Sequence, residues 1–313
     1  VVKTVLGRDN GIEERRLAVE TLQEVFEIDP DTLQRRFEHH APLLASEAGR
    51  QALQRAGLGP DAMDAVIVST CTGYLCPGLS GYVVEQLGLR PTVQCFDLVG
   101  QGCAAALPNW QLADALLAGG RGQHVLSICV EVCSAAMYLD NEPGILISAC
   151  LFGDGAGAAV LSRNRPGDGR KVEWRDSVSL LKPEARQALR FETRAGMLRN
   201  VLTRAVPRIA GEHVEQTLGT ALQRNGLGRT DISNWIMHAG GRDVLLAIEE
   251  RLSLPPQALH YSREALRLLG NLSSAFLYFV LESALADEAE GGWWWMSSFG
   301  AGFSCHGALL SVE

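Results

Sequence analysis

The chain has 313 residues, 47% of them hydrophobic and 20% charged, which excludes a disordered or low-complexity protein and leaves ample core for one large or two medium domains. A formal net charge of −8 gives no basic footprint for nucleic acid. No run reaches the roughly 18 apolar residues of a membrane span. The eight cysteines have no metal-type spacing apart from one CxxxC, and several lie in apolar runs such as "VLSICVEVC", which fits free thiols in a reducing cytosol.

The opening "VVKTVLGRDN" lacks the apolar stretch of a secretory signal and passes at once into a loop-like "GRDNG". A cytoplasmic protein, with some native N-terminal sequence missing, is therefore expected. Residues 52–67, "ALQRAGLGPDAMDAVI", read as helix end, glycine stop, turn and buried strand. Residues 96–107, "FDLVGQGCAAAL", place Cys103 after a glycine loop where a helix begins. The unpaired N–H groups and partial positive charge of a helix start favour thiolate, although a cysteine so placed is also commonly buried and inert. "LFGDGAGAAVLS" (151–162) is a glycine loop leading into a strand, and the polar "SRNRPGDGRK" (162–171) reads as a connection.

Beyond that connection the pattern recurs. Residues 221–236, "ALQRNGLGRTDISNWI", match residues 52–67 without a gap, and "SFGAGFSCHGALLSV" (298–312) resembles 151–162. Two similar α/β units, 1–163 and 164–313, are expected, duplicated and related by a pseudo-twofold axis. The offset of the repeat sets Ser69 against His238 in "WIMHAGG", and Cys103 against Leu272, beside Asn271 in "LRLLGNLSSAF". Such an axis brings the three loops together. Taken singly, His238 reads as a structural histidine and Asn271 as a helix cap. Taken jointly, a thiol, an imidazole and a carboxamide make a nucleophile, an acid/base or donor, and an oxyanion binder. Trp293, Trp294 and Trp295 read as a strand with at least one face in the core.

"GQGC", "HAGG", "GNLSSA", "LFGDGAGA" and "SFGAGF" resemble the thiolase-fold condensing enzymes, most closely the type III polyketide synthases of the chalcone and stilbene synthase group, over nearly the whole chain. The resemblance implies an α/β, thiolase-like fold of duplicated αβαβα layers and a homodimer. It also implies acyl-CoA and malonyl-CoA as substrates, with no metal or redox cofactor and no nucleic-acid or membrane partner. An acyl starter would load on Cys103 and be extended by decarboxylation of malonyl-CoA, with His238 and Asn271 holding the thioester oxygen and His238 keeping Cys103 as thiolate. By the same resemblance Phe152 gates the CoA tunnel, Phe299 and Gly300 belong to an active-site loop, and Cys133 and Ala136 line the cavity. Cys76 falls where plant members reach into the partner's cavity. Arg15 and Arg16 match a basic segment that meets the CoA phosphates, or else form a solvated helix face.

Two segments depart from the plant pattern. "CTGYLCP" is shorter than its plant counterpart, and "GMLRNVLTRAVP" offers no residue for a second gatekeeper aromatic. A bacterial subgroup making a resorcylic, phenylacetyl or pyrone product is therefore expected. The rival readings are a ketoacyl synthase III that accepts an acyl carrier protein, a thiolase using Cys305 as a second cysteine, and a non-catalytic partner subunit. "HAGG" argues against the first and the "GNLSSA" asparagine against the second, where Cys305 reads as a strand residue. The presence of Cys103, His238 and Asn271 together argues against the third.

Overall fold

Apolar runs of strand length separated by helical stretches resolve, in the computed structural model, into two four-stranded sheets. Residues 10–136, 143–164 and 169–313 are described; residues 1–9, and residues 165–168 of the expected connection, lie outside them. The first sheet contains β1 (Ala65–Ser69), β2 (Gln94–Leu98), β3 (His124–Glu131) and β4 (Gly155–Ser162) in the order β2-β1-β3-β4. The second starts with β5 (Val172–Leu181). After a separate ribbon, β6 (Leu189–Arg194) and β7 (Met197–Leu202), it continues with β8 (Ile232–Met237), β9 (Gly292–Gly300) and β10 (Ser304–Val312), in the order β5-β10-β9-β8. In the first sheet β1 runs parallel to β3, and β3 antiparallel to β4. β8, β9 and β10 repeat that pattern of one parallel and one antiparallel pairing.

The helices fill the layers according to how much of their surface is apolar. α1 (Pro30–Ala56) starts at Asp29, whose side chain accepts from Thr32 N, and stops at Gly57 in the left-handed region. Its buried residues Leu33, Phe37, Ala41, Ala45 and Leu53 recur at helical spacing on one side, and that side covers β3 and β4. α2 (Leu79–Leu87) lies beside it. α3 (Ala106–Ala118), by contrast, carries apolar residues around most of its circumference and touches β1 and β3 on one side and β9 and β10 on the other. The short α4 (Cys133–Ala136) and α5 (Pro143–Leu151) follow β3.

In the second half α6 (Val206–Asn225) covers β5, β9 and β10 from outside, and it too ends at a left-handed glycine, Gly226. The two glycine stops read in the sequence are thus two equivalent helix ends, each followed by a 3₁₀ turn and a strand. α7 (Arg242–Leu252) packs on α6, and α8 (His260–Leu269) leads to α9 (Phe276–Ala286), which touches β4 and β8. The layers therefore run α1, first sheet, α3 with α9, second sheet, α6, which is the expected αβαβα arrangement. Trp294 and Trp295 are fully buried on β9 while Trp293 is half-buried, and Cys305 lies buried within β10. No helix of the described residues is long and apolar enough to cross a membrane.

Tyr278 fastens the middle layer. Its hydroxyl accepts from Trp110 Nε1 of α3 at 3.0 Å and shares a hydrogen bond with Ser127 Oγ of β3 at 2.8 Å. Gly157 of β4 lies so close that a Cβ there would sit 2.4 Å from Tyr278. Replacing Tyr278 by Phe strands two buried polar groups, and a loss of about 1–3 kcal/mol is expected. It should read as a lower urea midpoint with an unchanged slope.

Candidate active site

Each central helix is entered through one 3₁₀ turn, Gly102–Ala104 before α3 and Ser273–Ala275 before α9. The two turns meet: Ser273 Oγ donates to Cys103 Sγ at 3.2 Å. The end of β9 lies across the first turn, where a Cβ on Gly300 would sit 2.3 Å from Gln101 O and 2.9 Å from Ala104 Cβ. Glycine is therefore required at that crossing, and the small buried residues Ala104 to Ala106 give the strand room. Asn271 caps the second turn through Oδ1, which accepts from Ser273 N at 2.8 Å, while its Nδ2 faces Gly240 O at 3.5 Å. Its backbone pairs with the Phe152 loop: Asn271 N donates to Leu151 O at 2.8 Å, and Gly153 N donates to Asn271 O at 3.1 Å.

His238 directly follows β8, and its N–H donates to Ser297 O at 2.8 Å. Its ring stands edge-on to Phe299 and Phe276, with centroids 5.1 and 5.5 Å away. The residue is 1% exposed, and among the described residues neither ring nitrogen has a hydrogen-bond partner. Cys103, His238 and Asn271 are thus gathered around Ser273 and Gly240. Ser273 stands in the "GNLSS" motif, where nothing in its residue type or spacing singles it out.

Burial dominates the electrostatics here. It pushes the Cys103 thiol up to about 12, against the lowering effect of the Ser273 hydrogen bond, and it pushes His238 down to about 3. Burial thus favours the neutral thiol and the neutral imidazole, and so works against the helix-start effect that the sequence suggests for a thiolate. The physical reason is twofold: α3 begins only at Ala106, and a dry site penalises either charge more than a distant helix end favours it. A third buried group was also missed. Glu131, at the end of β3, accepts from Thr72 Oγ1 at 2.9 Å, from Cys71 N at 3.0 Å and from Ser274 Oγ, and burial raises its carboxyl. A lone acidic residue inside "VLSICVEVC" was the available signal.

Phe152 packs against Cys103 and Cys133. Beside them lies a cavity whose wall includes Cys133, Ala136, Phe152 and Ser273. Two residues that the sequence reading left unassigned, Phe191 and Asn200, complete that wall, so a second aromatic does stand there. A larger cavity shares Cys71 and Thr72 with it and continues between α1 and the β6–β7 ribbon.

The peripheral candidates separate from this group. Cys76 is exposed and lies on neither cavity wall. Arg15 and Arg16 do not form a helix face, because the segment is irregular. Arg15 turns inward and donates to the carbonyls of Ala149 and Phe152 at the end of α5, whereas Arg16 is exposed beside Glu14 at 3.1 Å. Cys305 lies near Ser297 and Thr217, as a core strand residue.

The chain is similar to known proteins over most of its length. A family model for FAE1/type III polyketide synthase-like proteins matches residues 9–221, and one for the C-terminal domain of chalcone and stilbene synthases matches residues 175–312. The chain is 31% identical to a 3,5-dihydroxyphenylacetyl-CoA synthase of Streptomyces toyocaensis, over 78% of this chain and 64% of that protein. It is also 31% identical to a 1,3,6,8-tetrahydroxynaphthalene synthase of Streptomyces peucetius subsp. caesius, over 85% of this chain and 72% of that one. Among solved structures, the 1,3,6,8-tetrahydroxynaphthalene synthase of Streptomyces coelicolor A3(2) superposes with a TM-score of 0.90 at 25% identity, covering 100% of this chain and 89% of that chain. PKS-I from the brown alga Ectocarpus siliculosus gives the same values.

A neutral buried thiol has a definite pH signature. With the Cys103 pKa near 12, the thiolate fraction should rise about tenfold per pH unit between pH 7 and 9, while His238, already neutral, adds no step. Iodoacetamide labelling of the Cys103 peptide, followed by mass spectrometry, should show that slope. A rate already level at pH 7 would instead demonstrate a Cys103–His238 ion pair.

Proposed function

The chain belongs to the type III polyketide synthase family, and from that premise we propose that it loads an acyl-CoA starter on Cys103 and extends it with malonyl-CoA by decarboxylative Claisen condensation. One observation carries the assignment of the site: Ser273 joins Cys103 to Asn271, and Asn271 in turn reaches the Gly240 loop that follows His238. Cys103 Sγ attacks the starter thioester carbonyl as its proton passes to the open nitrogen of neutral His238, and that proton leaves on the CoA thiol. Malonyl-CoA then places its thioester oxygen against His238 N–H and Asn271 Nδ2. The bond to its carboxylate breaks, CO₂ departs, and the electron pair becomes an enolate that these donors stabilise. The enolate carbon attacks the Cys103 acyl carbonyl and expels Sγ as thiolate, which takes up a proton from solvent to restore the thiol, leaving a β-keto CoA thioester two carbons longer.

Asn271 is suited to this role because Ser273 N holds its Oδ1, which fixes the direction of Nδ2. Phe152, packed on Cys103, would gate the approach, with Phe299 orienting the His238 ring. Cys133 and Ala136 would shape the product cavity, and Arg16 is better placed than Arg15 to meet CoA phosphates. CoA thioesters serve as substrates, and no step above calls for a metal or redox group. The names of the bacterial relatives favour an aromatic polyketide as product.

The same reading includes a homodimer in the cytoplasm. β2 is an edge strand with Phe96 and Leu98 only half-buried and Val99 65% exposed, a surface that a second copy would cover. We also read residues 1–163 and 164–313 as duplicated units, which the matching runs β1-β3-β4 and β8-β9-β10 support.

Cys103→Ala should abolish the acyl adduct seen by intact-protein mass, and Asn271→Ala should slow release of labelled CO₂ from malonyl-CoA by about 10²–10³-fold. Condensation at the native rate in Cys103→Ala would sink the mechanism. Val99→Glu should shift the protein from dimer to monomer in light scattering; an unchanged dimer would place the interface elsewhere.

A further inference from the structure

The β6–β7 ribbon determines which side chains reach the cavity beside Cys103. Phe191 and Asn200 are directly opposed across the ribbon, so their side chains share a face, and both stand on the cavity wall. The next pair on that face, Thr193 and Leu198, lines the larger cavity. Asn200 is therefore presented to the site by the pairing register.

The other polar groups on this wall are already engaged within the protein. Ser148 Oγ donates to Gly144 O at 2.9 Å, Ser273 Oγ to Cys103 Sγ at 3.2 Å, and Thr72 Oγ1 to Glu131 Oε2 at 2.9 Å. Asn200 Oδ1 differs: it is buried and has no hydrogen-bond partner. Among the described residues it is the one such atom whose residue lines this cavity. A buried carboxamide oxygen left unpaired loses its hydration without replacement, a penalty that a ligand with a correctly placed donor relieves. Ketone and methylene groups offer no donor; an alcohol or an enol does.

We propose that Asn200 is a specificity-determining residue, whose Oδ1 accepts a hydrogen bond from a hydroxyl or enol O–H on the acyl chain held by Cys103. The substrate class so selected is acyl thioesters oxygenated along the chain, in preference to plain alkanoyl thioesters of the same length. This rests on the reading that Cys103 carries the acyl group.

The test is a competition between hexanoyl-CoA and its 3-hydroxy and 5-hydroxy analogues for acylation of Cys103, read by intact-protein mass. Wild type should favour one hydroxylated thioester by about tenfold or more. Asn200→Leu, similar in size but without the acceptor, should reduce that preference to within about twofold, and Asn200→Asp, which keeps an acceptor oxygen, should retain most of it. Because all three thioesters compete for the same protein, a general loss of fold or rate leaves the ratios unchanged. A wild type that loads all three thioesters without preference, or a preference that survives in Asn200→Leu, overturns the proposal while leaving Cys103 acylation standing. Failure of wild type to form any Cys103 adduct overturns the underlying reading, and this inference with it.

Discussion

The contact between Ser273 Oγ and Cys103 Sγ is the point at which both halves of the molecule must agree. It exists because two central helices begin at the same place, each through a single tight turn, between two sheets that bury both residues. Several otherwise unrelated choices serve it. Gly300 lets β9 cross the first turn at a distance no side chain permits, and alanines follow Cys103 so that the strand and helix can close up. Tyr278 and Trp110 lock α9 to α3, so the two entrances cannot slide apart without breaking a buried hydrogen bond.

The same closeness sets the chemistry. Once these groups are dry, a thiol and an imidazole cost less as a neutral pair than as separated charges, because solvation lost by two ions is rarely recovered by one contact. Glu131 answers the problem differently, collecting hydroxyl and N–H donors. A nucleophile in such a place is activated by what arrives rather than by what is already charged. Pre-aimed donors around the reacting oxygen then do more than a resident thiolate could, since they need no reorganisation when charge develops.

The layered fold and the convergence of three loops were legible in the chain because both follow from repetition. Gly57 and Gly226 are equivalent helix stops, and a common offset carries the eye from one half to the other. The protonation state of Cys103 was not legible, since local sequence reveals a helix start but not how much solvent the fold removes. Arg15 and Arg16 looked alike in sequence, yet an irregular backbone turned one inward to carbonyls and the other to solvent. The β6–β7 ribbon escaped notice for a different reason. Its two-residue turn is Ala195-Gly196, with φ of 50° and 79°, and alanine at the first position lacks the Asn, Asp or Gly signal such turns normally give. With the turn unseen, the pairing that brings Phe191 and Asn200 to the cavity could not be inferred.

That ribbon pairs with neither sheet, and this has a consequence for how the molecule can vary. Residues of the two turns are constrained from every side, by strand, helix and partner loop at once. Residues on the ribbon answer mainly to the strand opposite, and alternate ones face the cavities. Substitutions there can redraw the space around a growing chain without disturbing the layers, and a register change of two residues would replace the Phe191–Asn200 pair by another. The scaffold thereby keeps its bond-forming machinery and its product-shaping surface on separately adjustable parts.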